Sequence, residues 1–431
     1  REMKARDLYQ KYMITSMVAG FEPIEVASAA GCNMVGEDGR EYLDCFSGIS
    51  VTNSGHGHPK IIAAAKEQME KLIHCCTYVY YNPRAAELAE MMAEISPGNL
   101  VKSFFANSGA EAIEGAMRLA KQFTGRRELL CLTHSFHGRT AGTLSITGNR
   151  ARKKGSGPYL SGVTFAPAPY CYRCPFRLSY PGCGVACAEY VADVLREQTA
   201  GDVAAFIAEP VLGEGGLIVP PPEYFKIAVD IARNDGALFV ADEVQTGFGR
   251  TGKMFGIEHY RVEPDIMCTA KGIASGFPLS AFTVREDIAE AFRPGDHLST
   301  FGGNPVSCAA AMANIIVMKD EKLVENSEAR GLQIIKRLEE FQERCSLIGD
   351  IRGKGLMIAV ELVKDVKTKE PAPETGKIVR KLCRERGVLV GLGGSFANTI
   401  RLQPPLTVTS DQADHAVDVL TESLMEVSAN L

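Results

Sequence analysis

One stretch constrains this chain more than any other: Ala237-Leu238-Phe239-Val240-Ala241-Asp242-Glu243-Val244-Gln245-Thr246-Gly247-Phe248-Gly249-Arg250. It begins as an apolar run without alternation, the pattern of a strand buried on both faces. It ends in an acid and a polar, glycine-rich loop. In an open parallel sheet, ligands sit beyond the carboxyl ends of the strands. Asp242 is therefore expected to face a bound small molecule. A second such run, Asp265-Ile266-Met267-Cys268-Thr269-Ala270, leads into Lys271 and Gly272.

An acid and a lysine ending two buried strands have a chemical use together. A lysine amine forms an imine with an aldehyde cofactor. An aspartate facing a pyridine nitrogen keeps it protonated, so that the ring serves as an electron sink. Taken singly, each residue reads more plainly: Asp242 caps a turn and Lys271 is solvated, as most charged side chains are. The neighbouring residues decide between the readings.

From Leu238 to Ala281 the chain resembles the signature of class III pyridoxal-phosphate aminotransferases. The acid, Val244-Gln245 after it, the Thr246-Gly247-Phe248-Gly249-Arg250-Thr251-Gly252 loop and Ala270-Lys271-Gly272 carry the resemblance. A motif this long and this spaced is far more specific than a lone glycine pattern. The resemblance extends from about Tyr42 to the last helix. It implies an α/β fold of the fold-type I class, with a large domain around a mostly parallel sheet and a smaller α/β domain. The expected boundaries are residues 1–58 for an N-terminal arm and part of the small domain, 59–317 for the large domain, and 318–431 for the C-terminal small domain. It also implies pyridoxal 5'-phosphate as cofactor, held at Lys271 and Asp242, with Val244, Gln245 and His137 among the cofactor contacts.

Composition narrows the partners. The 431 residues carry a formal charge of -5 and are 45% hydrophobic and 23% charged. That gives material for a large core and no electrostatic reason to expect nucleic acid or an anionic membrane. No apolar run approaches the ~18 residues of a membrane span. The opening Arg1-Glu2-Met3-Lys4 has no apolar core, so no signal peptide is expected. It also lacks an initiator Met, so the native start is expected to be missing or processed. Thirteen cysteines, an odd number and mostly scattered, suit a reducing cytoplasm better than a disulfide scaffold.

Before the signature, Cys32–Val35 and Glu41–Cys45 read as a hairpin turning at Glu37-Asp38-Gly39. The loop Gly55-His56-Gly57-His58-Pro59 has two histidines but no cysteine or carboxylate at ligand spacing, so it reads as a glycine-rich entry loop. By resemblance this region borders the substrate pocket, which makes Ile49 a candidate wall residue. Helices are expected from Ile61 to Leu72 and from Arg84 to Ile95. The strand Val101–Ala106 runs into Asn107-Ser108-Gly109-Ala110-Glu111 and a helix with Ala112, Ile113, Ala116, Met117 and Ala120 on one face, ending at Gly125. A helix N-terminus favours phosphate, a serine adds a hydroxyl and a glycine permits close approach. An ordinary N-cap accounts for the same residues. The resemblance decides for phosphate binding at Ser108, Gly109 and Ala110.

The strand Glu128–Leu132 leads to Ser135-Phe136-His137-Gly138-Arg139-Thr140. Phe136 is expected to cover the cofactor ring. Arg139 offers a planar fork for a carboxylate, where a surface ion pair is the plainer reading. Val203–Ala208 ends at Glu209-Pro210-Val211-Leu212-Gly213-Glu214. The resemblance gives Glu209 to the cofactor side of the site and makes Glu214 a gate paired with a C-terminal arginine, Arg401. Thr300 matches a threonine that reaches the phosphate of a neighbouring subunit, which implies a homodimer. On sequence alone Thr300 is an N-cap. Cys171, Cys174, Cys183 and Cys187 follow a C-x2-C, C-x3-C spacing that suits a zinc site or free thiols in a tight insertion loop. No metal is expected. The last part of the chain reads as a long helix, a strand Leu356–Val363, a helix near Thr375–Arg386, strands Val388–Val390 and Thr399–Leu402, and a final helix capped by Thr409 and Gln412.

The implied reaction is transamination between an amino donor of ω-amino, ornithine or alanine type and an α-keto acid, through an imine at Lys271. Arg401 takes the α-carboxylate, Arg139 a distal carboxylate, and Glu214 neutralises Arg401 when no α-carboxylate is bound. Racemisation uses the same imine and lysine. Decarboxylation fits less well: the dialkylglycine decarboxylases carry glutamine, tryptophan and methionine where this chain has Ile49, Phe136 and Arg139. A non-catalytic scaffold on the same fold would not need every one of these groups.

Overall fold

The computed structural model describes residues 4–14 and 22–430. Two sheets organise them. In the larger, the strand order is Lys102–Ala106, Ser280–Val284, Ile266–Thr269, Leu238–Asp242, Val203–Ala208, Glu128–Leu132, Val163–Ala166. Ser280–Val284 runs antiparallel to both its neighbours, and the remaining pairs are parallel. The central strands Val203–Ala208, Leu238–Asp242 and Ile266–Thr269 are buried at every residue. Their sequences show no alternation because both faces are covered.

The helix Gly109–Thr124 covers one face. Its Ala112, Ile113, Ala116, Met117 and Ala120 share a cluster with Val240, Ile266 and Phe282. It ends at Gly125, which adopts the left-handed conformation with φ 69 that glycine takes at least cost. The helices Ala186–Gln198 and Tyr224–Asn234 belong to the core on the other face.

Register places the chemistry. Ala208 pairs with Ala241, so Glu209 and Asp242 leave the sheet side by side. Asp242 pairs with Cys268, so Lys271 emerges from the same carboxyl edge.

The second sheet joins the two ends of the chain. Its order is Val26–Ala30, Asn33–Gly36, Glu41–Cys45, Val388–Gly393, Thr399–Leu402, Met357–Asp365, Ile348–Lys354, with Glu370–Pro371 paired to Met357–Asp365. Glu41–Cys45 lies parallel to Val388–Gly393, and the neighbouring pairs are antiparallel. Thr399–Leu402 carries Arg401 at its buried centre.

Several elements differ from expectation. The long connecting helix is two helices, Pro305–Asp320 and Leu323–Gln342, broken where Lys322 adopts φ 51. The strand Ile348–Lys354 was not anticipated. It carries Asp350, Arg352 and Lys354, and Arg352 is satisfied by Asp350 and Glu361 rather than by water. The two histidines of the entry loop go to different carboxylates, His56 to Asp44 at 2.8 Å and His58 to Glu321 at 3.1 Å. The four clustered cysteines line one small apolar cavity of about 20 Å³, beside Pro175, Phe176 and Tyr180. Among the described residues, no three His, Cys, Asp or Glu side chains are placed to hold a metal. No helix among them is long and apolar enough to cross a membrane.

Candidate active site

A cavity of about 400 Å³ opens at the carboxyl edge of the larger sheet. Ser108, Gly109, Ala110, Phe136, His137, Arg139, Glu209, Asp242, Val244, Gln245 and Lys271 all line it. Loops that follow five different strands thus deliver their residues to one place.

The inner wall is held by buried hydrogen bonds. Asp242 Oδ2 accepts from His137 Nδ1 at 2.7 Å, and Asp242 Oδ1 accepts from the Val244 N–H at 3.0 Å. Burial opposes charge on His137, but the bond to Asp242 and the field of Asp242 and Glu209 raise its pKa on balance. His137 Nε2 is buried without a partner. Glu209 accepts the Phe136 N–H at 2.8 Å and the Gly213 N–H at 2.8 Å. It thereby fixes the loop that presents Phe136. Burial pushes Glu209 up to about 7, against the pull of His137.

Lys271 stands on a backbone with φ 46, an uncommon conformation for a residue with a side chain. Burial lowers its amine, with Glu214 and Asp242 opposing. Glu243, the residue after Asp242, points the other way, as alternation along a strand end requires. It accepts the N–H groups of Gly256 at 2.9 Å and Ile257 at 2.7 Å and is structural.

At the helix end, Ser108 forms a capping box with Glu111, so the plain N-cap reading describes the hydroxyl's own bond. A Cβ at Gly109 would sit 2.8 Å from Val244 Cγ1. Only glycine lets the helix end approach this closely.

Beside the cavity stands a charged outer wall, which does not line it and touches the lining through Gln245. Arg401 donates through Nη1 to Glu214 Oε1 at 2.8 Å, through Nη2 to Gln245 Oε1 at 2.8 Å and through Nε to Gln403 Oε1 at 3.0 Å. Arg152 donates to the other Glu214 oxygen, Oε2, at 3.1 Å. Burial alone would raise Glu214, but Arg401, then Arg152 and Lys271, hold it down at about 2. Arg139 differs from Arg401. Its guanidinium lies 5.5 Å over the Phe136 ring, and it is exposed, with no ion pair among the described residues.

Four candidates are outside the cavity lining: Glu214 and Arg401, which reach it through Gln245, and Ile49 and Thr300, which lie apart. Ile49 is 43% exposed with φ 70, while Val51, two residues on, lines the cavity. Thr300 is exposed and outside the cavity wall, and it does not cap the next helix. Asn304 does, accepting from Val306 N at 2.9 Å and Ser307 N at 3.3 Å. The sequence reading missed Arg152 and Gln403. Gln403 had a signal, since it follows Arg401 by two and shares its face of the strand. Arg152 had none.

The residues fit pyridoxal phosphate. A helix N-terminus closed down by a glycine suits a phosphate, an aromatic side chain flanks the cavity, and a buried carboxylate backed by an imidazole faces an amine. These features define a fold-type I pyridoxal-phosphate enzyme. More particularly, the chain belongs to the class III aminotransferases: the family description "Aminotransferase class-III" matches residues 17–424. Acetylornithine aminotransferase of Methanothermobacter thermautotrophicus is 42% identical over 93% of this chain and 93% of its own. A leucine/methionine racemase of Thermococcus litoralis is 41% identical over 94% of this chain and 92% of its own. An aminotransferase structure from Bacillus anthracis superposes with a TM-score of 0.92 at 34% identity, covering 99% of this chain and 100% of that one. The protein is an aminotransferase, and its cofactor is pyridoxal 5'-phosphate.

Proposed function

We propose that the enzyme transfers an amino group from an ω-amino or ornithine-type donor to a 2-oxo acid, using one pocket for both. The observation that carries this reading is the contrast between its two arginines. Arg401 is neutralised by Glu214 at 2.8 Å, whereas Arg139 is exposed and without an ion pair among the described residues. A donor amine arriving without an α-carboxylate meets an Arg401 whose charge Glu214 already balances and puts its distal carboxylate on Arg139. A 2-oxo acid displaces Glu214 and puts its α-carboxylate on Arg401. The relatives named for acetylornithine and, in Mycobacterium leprae, for 4-aminobutyrate support this class.

In this reading Ser108, Gly109 and Ala110 hold the phosphate, Phe136 and Val244 flank the ring, Gln245 and Glu209 position it, and Asp242 with His137 faces its nitrogen. When bound, the cofactor supplies the electron sink that lets a C–H bond beside nitrogen lose its proton. Lys271 Nζ is the base that takes that proton and returns it, and its burial-lowered pKa suits the task.

Ile73, Tyr80, Tyr81, Leu298 and Phe301 are large apolar side chains left exposed on two segments. Asn304 Nδ2 binds Ile73 O at 2.9 Å and Thr77 Oγ1 binds Gly303 O at 2.7 Å, so the two segments are joined. These exposed apolar side chains support a homodimer in which Thr300 serves a site of the partner subunit, with Ile49 a wall residue of the substrate pocket. The two sheets support a division into a large and a small domain, one built on strands of residues 102–284 and the other on strands of residues 26–45 and 348–402. Thirteen cysteines without a disulfide support a cytoplasmic setting.

The test is a half-reaction screen of the holoenzyme by absorbance. Conversion by 4-aminobutyrate or N-acetylornithine, and its reversal by pyruvate, glyoxylate or 2-oxoglutarate, is the expected result. Failure of every donor of this class would refute the proposal. The similarity to a racemase favours one second reading. Chiral analysis separates the two, because racemisation needs no 2-oxo acid.

A further inference from the structure

The gate carboxylate has two cations, and the proposed function uses only one. Glu214 spends Oε1 on Arg401 at 2.8 Å and Oε2 on Arg152 at 3.1 Å. Arg152 sits on the short helix Arg150–Lys153, which Asn149 caps. The Arg152 and Glu214 side chains are 14% and 16% exposed, and Arg152 Nε is buried with no partner of its own. Arg401 is tied by Gln245 and Gln403 on its other nitrogens, so it cannot follow Glu214 when the gate opens.

We propose that Arg152 is the open-state seat of Glu214, a positioning residue that keeps the gate carboxylate paired while Arg401 holds a substrate α-carboxylate. This rests on the reading of Glu214 as the gate. The charges make the case. With the gate closed, two guanidinium groups face one carboxylate and leave an excess positive charge. An incoming α-carboxylate brings the set to two against two. Without Arg152, the loaded set would hold two anions against one arginine, in a place largely removed from water, where an unpaired charge is costly. Lys271 also faces Glu214, but it gives up its charge during the reaction. Arg152 keeps its charge throughout. It therefore tunes the enzyme toward carboxylate-bearing acceptors and has no part in the proton transfer.

The test uses the full-length holoenzyme and whichever of pyruvate, glyoxylate and 2-oxoglutarate reverses the half-reaction fastest. Arg152→Gln is expected to raise KM for that acid about fivefold or more while kcat at saturation changes by less than about twofold. Arg152→Lys should restore most of the KM. In a Glu214→Gln background, Arg152→Gln should change KM by less than about twofold, since no gate anion remains to be held. A KM for Arg152→Gln within about twofold of the parent, or an equal rise in both backgrounds, would overturn the proposal. Should Arg152→Gln not accumulate as folded holoenzyme, Arg152→Met is read in the same way. The underlying gate reading fails separately: there, Glu214→Gln would leave the preference between amine and 2-oxo acid unaltered.

Discussion

The inner wall of the cavity and the charged outer wall beside it are built on different principles. The inner wall, Asp242 with His137 and Glu209, lies on adjacent strands of one sheet. Its side chains are buried and bound to one another or to backbone N–H groups. The outer wall brings Arg401 from the second sheet against Glu214 and Gln245 from loops of the first, with Arg152 of the helix Arg150–Lys153 on the other Glu214 oxygen. Its bonds are between side chains that can exchange partners. A fixed inner wall suits chemistry common to every substrate, because preorganised charge loses nothing to reorganisation. An exchangeable outer wall suits an enzyme whose two substrates differ in their carboxylates.

That contrast is broken most severely at the inner wall. Lys271→Ala should lower turnover by on the order of 10³-fold or more with any substrate, measured as steady-state rate, and remove the covalent chromophore. Asp242→Asn should cost about 10²-fold or more for donor and acceptor alike. A loss confined to one substrate would blur the distinction between the walls. At the outer wall, Arg401→Ala should act mainly on KM for the 2-oxo acid, by about 30-fold, because it also leaves Glu214 with one partner fewer. An unchanged KM would remove Arg401 from its assigned role.

The proposed gate residue has a signature in stability. Glu214 is depressed to about 2 from an ordinary 4.5, a gap worth about 3 kcal/mol. Its native pKa lies below its unfolded one, so this stability is fully present above about 4.5 and is lost as pH falls toward about 2. Urea unfolding midpoints between those limits should fall less steeply for Glu214→Gln than for the parent. The smallest effect is expected at Arg139, which is exposed. Arg139→Ala should raise KM about threefold to tenfold for substrates with a distal carboxylate and leave pyruvate nearly unaffected.

The two walls were unequally legible in the sequence. Asp242 and Lys271 could be placed because unbroken apolar runs announce buried parallel strands, and the ends of such strands meet at one edge. Ser108-Gly109 could be placed because a strand, a cap and an apolar helical stripe follow one another without a gap. Arg152 was not legible. Its partner Glu214 is 62 residues away, and nothing local distinguishes it from the neighbouring Arg150 and Lys153. The strand Ile348–Lys354 was hidden for a related reason: its Arg352 pairs with Glu361 on the next strand, Met357–Asp365, as well as with Asp350. Thr300 could be matched to a family position, but only the fold shows that Asn304, not Thr300, caps the next helix.

The most direct measurement of the central claim is covalent. Borohydride reduction of the holoenzyme, followed by peptide mapping, should place a pyridoxyl group on the ε-amine of Lys271. An adduct on another lysine, or none, would contradict the placement of the reacting amine against Asp242, and with it the division of labour between the two walls.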